Sequence, residues 1–175
     1  KEYRRQRQMC IRDRTHATAA FADPLAPQLE HVATVVVEVG VPQEVGDTPQ
    51  GCRRVIPITG GTVDGPRLRG KVLPGGADFQ VIRSATYTDI HARYVIETPD
   101  GERIYVENTG IRTGHADDIA RLARGVAVDP ARIYFRSYPR FETASPALGW
   151  MNESLFIGTG ARYPDRVELR FYRIC

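Results

Sequence analysis

Cysteine is scarce in this chain and odd in number: Cys10, Cys52 and Cys175 are the full set, with no CxxC spacing. That excludes a disulfide framework and a zinc ribbon, and it fits a reducing, cytoplasmic setting. Cys52 stands beside Arg53 and Arg54, so either its thiol is lowered by neighbouring cations or it is a small residue after the Gly51 turn. Long apolar runs are also missing. The longest, Val35-Val36-Val37, is bracketed by Thr34 and Glu38, far short of the roughly 20 residues of a membrane span, and no membrane partner is expected. The four histidines, His16, His31, His91 and His115, lack HExxH or His-x-His spacing. Asp89-x-His91 has no evident third ligand, so no metal is expected.

Phosphate and nucleophile signatures are absent too. Neither Gly60-Gly61 nor Gly75-Gly76 leads into Gly-Lys-Ser/Thr and a helix, and Gly158-Thr159-Gly160 lacks a third glycine. These glycines are expected to be turn or strand residues, and no nucleotide cofactor is implied. There is no Gly-x-Ser-x-Gly elbow, which disfavours serine hydrolase chemistry.

The net charge of +3 is not distributed along the chain. Residues 1–14 hold six Lys and Arg against Glu2 and Asp13, a local +4 that leaves −1 for the rest. Without that segment the case for a nucleic-acid partner disappears. Met9-Cys10-Ile11-Arg12-Asp13-Arg14 matches a translated transposon-adapter end, which marks 1–14 as a sequencing scar; a native basic tail or part of a targeting peptide is the rival reading. Residues 1–28, broken by Pro24 and Pro27, are expected to be a disordered lead-in, and 29–175 one domain.

What is present is β pattern. Valine-rich alternation over 29–41 reads as a long strand, followed by turn chemistry at Pro42, Gly46, Asp47, Pro49 and Gly51. Short strands are expected at 54–58, 66–73 and 80–83. Longer ones follow at 85–98 and 103–109, joined through the hairpin signal Pro99-Asp100-Gly101-Glu102, and later ones at 133–138, 141–144, 154–161 and 166–174. Residues 116–124 have helical spacing, with Asp117 and Asp118 in the first turn, Arg121 and Arg124 in the last, and Gly125 as the stop. Strands in sequence with little between them predict an all-β antiparallel barrel or sandwich with one short helix. If it is a barrel, the strands near Val32–Val39 and Val167–Ile174 should both lie within it, because closure removes two long edges.

Candidate site residues come from two places. On strand 86–98, Ile90, Ala92, Tyr94 and Ile96 share one face and Asp89, His91, Arg93 and Glu97 the other. Alternation alone does not say which face is interior. A second cluster, Tyr134, Arg136, Tyr138, Phe141, Glu142, Trp150 and Asn152, has the aromatic and hydrogen-bonding character of a small-molecule pocket, and equally that of core aromatics with surface charges.

An ordered set of motifs runs from about Leu29 to the C-terminus. It comprises Gly46-x-x-Pro49-x-Gly51-x-x-Arg54, Ile58-Thr59-Gly60-Gly61, Gly65-Pro66-x-Leu68-x-Gly70, Leu73-Pro74-Gly75-Gly76-Ala77-Asp78-Phe79, Asp89-x-x-x-Arg93-Tyr94, Asp100-Gly101-x-x-Ile104, Tyr134-Phe135-Arg136, Pro139-x-Phe141-Glu142 and Trp150-x-Asn152. In this order they resemble the family known as domain of unknown function 3237, whose pattern often has tryptophan at Phe79. The resemblance implies a closed lipocalin-like (calycin-like) β-barrel and favours an inward Asp89 and Arg93; it brings no catalytic assignment.

The expectation is a barrel that binds a small organic molecule, an oxygenated aromatic or a carboxylate. Asp89, Arg93 and Glu142 are the candidate catalytic residues, and Arg54, Asp78, Arg136, Tyr134, Trp150 and Asn152 the candidate substrate contacts. Carboxyls and arginines among aromatics suit acid/base chemistry of isomerase, lyase or hydrolase type. A noncatalytic carrier, or a structural barrel, alone or as a homo-oligomer, fits the same residues, and the sequence leaves open whether the protein is an enzyme.

Overall fold

The computed structural model describes residues 25–175. The expected adapter-like segment, and the lead-in up to residue 24, lie outside them; Gln28 already exchanges backbone hydrogen bonds with Cys175 at 3.0 and 2.9 Å. The strands are β1 (Leu29–Val39), β2 (Gln43–Thr48), β3 (Gly51–Asp64), β4 (Gly70–Val72), β5 (Gly76–Ser84), β6 (Tyr87–Glu97), β7 (Arg103–Gly114), β8 (Ile133–Thr143), β9 (Phe156–Arg162) and β10 (Arg166–Ile174). One helix, α1 (Ala116–Ala123), follows β7, and 3-10 turns span Pro130–Arg132 and Pro146–Met151.

β1 pairs antiparallel with β10 on one side and with β3 on the other, closing an eight-stranded barrel of β1, β3 and β5–β10. Both long valine-rich edges are thereby removed, as expected of closure. β2 forms a hairpin with the first half of β3, and β4 bridges β3 to β6. The loop expected over 42–51 is thus largely the β2–β3 hairpin. β3 also runs through Gly60-Gly61 rather than turning there: a bulge at Val39/Glu38 keeps it paired with β1. Gly61, at φ 142°, lies where a Cβ would sit on the Val36 carbonyl oxygen, so the strand passes only because the side chain is absent.

Proline did not split β8. Pro139 pairs with Asn108 on the β7 side, whereas β8 meets β9 only at Arg136–Thr159 and Ser137–Gly158. The missing N–H therefore faces an unpaired stretch, where proline costs no ladder bond. Gly158 and Gly160 are strand glycines, and a Cβ on Gly160 would lie 2.6 Å from the Phe135 ring. The glycines of β9 make room for interior aromatics.

The barrel interior is divided along its axis. At one end Phe141, Phe156 and Phe171 pack edge-to-face, with centroids 4.8 and 5.7 Å apart, and the Pro146–Met151 turn places buried Met151 across the opening. At the other end α1 lies over the mouth, with Ile119 and Leu122 packed on the core. Asp118, buried on this helix, is tied to Arg132 at 2.8 Å. The helix has the acidic first turn that its sequence foretold.

Candidate functional site

The apolar face of β6 is the interior one: Thr88, Ile90, Ala92, Tyr94 and Ile96 are buried. The expectation that Asp89 and Arg93 point into the barrel is therefore corrected. Asp89 pairs with Arg83 at 2.6 Å, and Arg93 with Glu107 at 3.3 Å, both across neighbouring strands on the outer surface. The physical reason is register. A one-residue flip would drive Ile90, Tyr94 and Ile96 into water to bury two charges.

The second cluster is also outside the chamber. On β8 the alternation puts Phe135, Ser137 and Phe141 inward and Tyr134, Arg136 and Glu142 outward. Arg136 stacks over the Tyr134 ring at 4.8 Å and donates to the Phe135 carbonyl. Trp150 belongs to the apolar end, where Arg67 and Arg173 lie over its ring. Asn152 is a structural clamp that accepts from Thr143 N and donates to Thr143 O, each at 2.9 Å. Glu142 and Asn152 border a groove of about 1050 Å³, but that groove is an open outer surface.

Arg54 and Asp78 do turn inward, from β3 and β5. They meet residues that sequence reading missed: Gln80, Asn108, Arg112 and Arg162. Two spaces adjoin here. A chamber of about 170 Å³ beneath α1 is lined by Arg54, Ile82, Thr88, Arg112, Ile119, Leu122 and Arg162. A deeper space of about 30 Å³ is lined by Asp78, Gln80, Tyr94, Asn108 and apolar side chains, and it shares Arg112 and Arg162 with the chamber.

Asp78 is held by its own strand and the next. The β5–β6 ladder pairs Asp78 with Ala92 and resumes at Val81–Asp89. Within this gap the His91 amide donates to Asp78 Oδ1 at 3.2 Å, and Gln80 Nε2 donates to Oδ2 at 2.6 Å. Asp78 as a whole residue keeps partial exposure, but its carboxyl group is enclosed. Burial raises its pKa above the ordinary carboxylate range, against the opposing pull of Gln80, Arg112, the His91 amide and Arg162. Burial, with Arg162 as neighbour, pushes Arg112 down to about 10, and Arg162 is lowered for the same first reason. Arg112 and Arg162 nonetheless remain cationic at neutral pH.

The polar inventory is incompletely satisfied. Arg112 is 6% exposed, its Nε has no hydrogen-bond partner, and neither it nor Arg162 forms an ion pair among the described residues. Arg54 reaches Glu44 at 3.4 Å. Gln80 Oε1, Asn108 Oδ1 and the Tyr94 hydroxyl are also buried without partners, and burial raises the Tyr94 pKa. Three guanidinium groups against one interior carboxyl make an anion-seeking site. No cluster of metal-ligating side chains exists among the described residues. Cys52, paired with Ile82 across the β3–β5 ladder, has its thiol raised by burial first and then by Asp47 and Glu44, which outweigh Arg54, and this favours the small-residue reading over the activated thiol.

Comparison with known proteins agrees with this architecture. The family described as Protein of unknown function (DUF3237) matches residues 27–174. The chain belongs to that family. UPF0311 protein RPA1785 of Rhodopseudomonas palustris is 44% identical over 152 residues, covering 86% of this chain and 99% of its own. Its crystal structure superposes with a TM-score of 0.82 at 42% identity, over 87% of this chain and 99% of that one. A structure described as a beta-barrel like protein from Acinetobacter baumannii gives 0.77 at 39% identity, over 87% and 99% of the two chains. An enzyme from Penicillium herquei gives 0.65 at 21% identity, over 89% and 99%, a likeness of fold alone. No helix among the described residues is long and apolar enough to cross a membrane.

Proposed function

We propose that the polar end of the barrel binds a small organic anion and that Asp78 exchanges a proton with it. The observation that carries this reading is the buried Arg112 guanidinium, without an ion-pair partner among the described residues and with an unbonded Nε. A buried cation left unpaired costs several kcal/mol, so such a group is retained where a ligand supplies the counter-charge. Arg162 and Arg54 reinforce the positive field, and Asp78, held above the ordinary carboxylate range by burial, is suited to give and take a proton. An engineered cavity of roughly 150 Å³ holds benzene, so a chamber of about 170 Å³ suits a ligand with one ring or a short branched tail. The same fold carries an enzyme in Penicillium herquei, so the barrel is compatible with catalysis.

Calorimetric titration tests the binding step. Phenylacetate should bind, 2-phenylethanol should not, and Arg112→Met should abolish the phenylacetate signal. Equal binding of the alcohol, or binding retained in the variant, overturns the reading. A carrier would share this pattern, and Asp78→Asn separates the two: an enzyme keeps ligand but loses turnover, whereas a carrier has no turnover to lose.

A further inference from the structure

The two spaces do different jobs. The walls of the larger one beneath α1 are mainly apolar, with Ile82, Ile119 and Leu122 among them, and Arg112 and Arg162 border both it and the smaller one. An acid that fills the chamber with its tail therefore brings its carboxylate to these two arginines at the boundary. The smaller space lies immediately beyond. At about 30 Å³ it has room for a group the size of a hydroxyl or one water molecule.

The hydrogen-bonding state of the small space is set by its neighbours. Gln80 commits its amide Nε2 to Asp78 Oδ2 at 2.6 Å, which fixes the side-chain orientation and leaves Oε1 as an acceptor. That Oε1 is buried and has no hydrogen-bond partner among the described residues, and the same holds for Asn108 Oδ1 and the Tyr94 hydroxyl, whose residues line the same space. An acceptor-rich recess one atom deep next to an anion cradle calls for a donor on the atom adjacent to the carboxylate. We infer that the ligand is a 2-hydroxy carboxylic acid, or the enol of a 2-oxo acid, with an apolar tail: carboxylate on Arg112 and Arg162, hydroxyl donated to Gln80 Oε1, tail under α1.

This inference rests on the anion-site reading, and matched probes separate the failure of one from the failure of the other. Mandelate and phenylacetate differ by the hydroxyl alone. A donor reaching a buried, otherwise unsatisfied acceptor should make mandelate bind about tenfold more tightly to the wild-type protein. In Gln80→Met that preference, read as the ratio of the two affinities within the variant, should collapse towards unity. Equal affinities in the wild-type protein would assign the recess to a water molecule and refute the hydroxy-acid inference while leaving the anion site standing. Failure of both acids to bind would refute both. The wild-type comparison needs no variant, so a folding defect in Gln80→Met cannot protect the inference.

Discussion

Replacing Arg112 should make the protein more stable and less functional at once. The guanidinium's ordinary value of 12.5 is pushed down to about 10 by burial first and by Arg162 next. At about 1.4 kcal/mol per pKa unit, holding the charge in the folded barrel costs about 3 kcal/mol. The sign follows from the direction: a cation whose folded value lies below its unfolded one is penalised at every pH below about 10 and relieved only above it. Methionine keeps most of the aliphatic stem and removes the charge, so Arg112→Met should gain about 1–3 kcal/mol in the ligand-free protein. For a domain of this length that is a rise of roughly 2–12 °C in Tm. Urea unfolding at pH 7, read by circular dichroism, measures it directly. A loss of more than about 1 kcal/mol would show that Arg112 ties the barrel together, and the argument from an unpaired buried charge would fall.

Asp78→Asn should flatten the acid side of the stability profile. Because the folded carboxyl titrates above its unfolded value of 3.8, the wild-type protein loses stability relative to the variant as pH rises from below 3.8 through the folded pKa, then runs parallel to it; a difference that grows in the opposite direction refutes the assignment. Gly160→Ala should destabilise by about 1–3 kcal/mol, since its Cβ would meet the buried Phe135 ring at 2.6 Å; an unchanged denaturation midpoint would mean the ring moves freely. Arg93→Ala removes only an outer-surface pair with Glu107, so phenylacetate titration should give the wild-type affinity and the midpoint should barely move. A clear loss of binding would return Arg93 to the site.

Most of the fold was legible because its signals are local. Alternation in Val32–Val39, the Asp100-Gly101 turn with Gly101 at φ 84°, and the charged ends of α1 each dictate structure within a few residues. The errors fell where a distant partner decides. Pro139 is harmless in β8 only because β9 leaves that stretch unpaired, and Gly60-Gly61 continue β3 only because β1 lies close enough to exploit the missing side chain. Nothing within 133–144 or 54–64 announces either fact.

The site was hidden for a sharper reason. Its polar residues come from β3, β5, β6, β7 and β9, set in inward rows that also carry apolar side chains. Arg112 continues the row Ile104, Val106 and Asn108, and Arg162 the row Phe156, Gly158 and Gly160. Reading β7 as ending at 109 concealed the first. A recoverable signal did exist: a charge that keeps the parity of a buried row is interior, whereas Asp89 and Arg93 keep the parity of the opposite row. The polar strand face drew attention because several charges share it, yet a face rich in charge is one that water can satisfy. A lone arginine at the end of an apolar row has no such solvent, and its cost is borne by the phenylalanine-packed far end of the same barrel. That division of labour along one axis, stability at the sealed end and uncompensated charge beneath α1, is the pattern expected where binding is bought with stability.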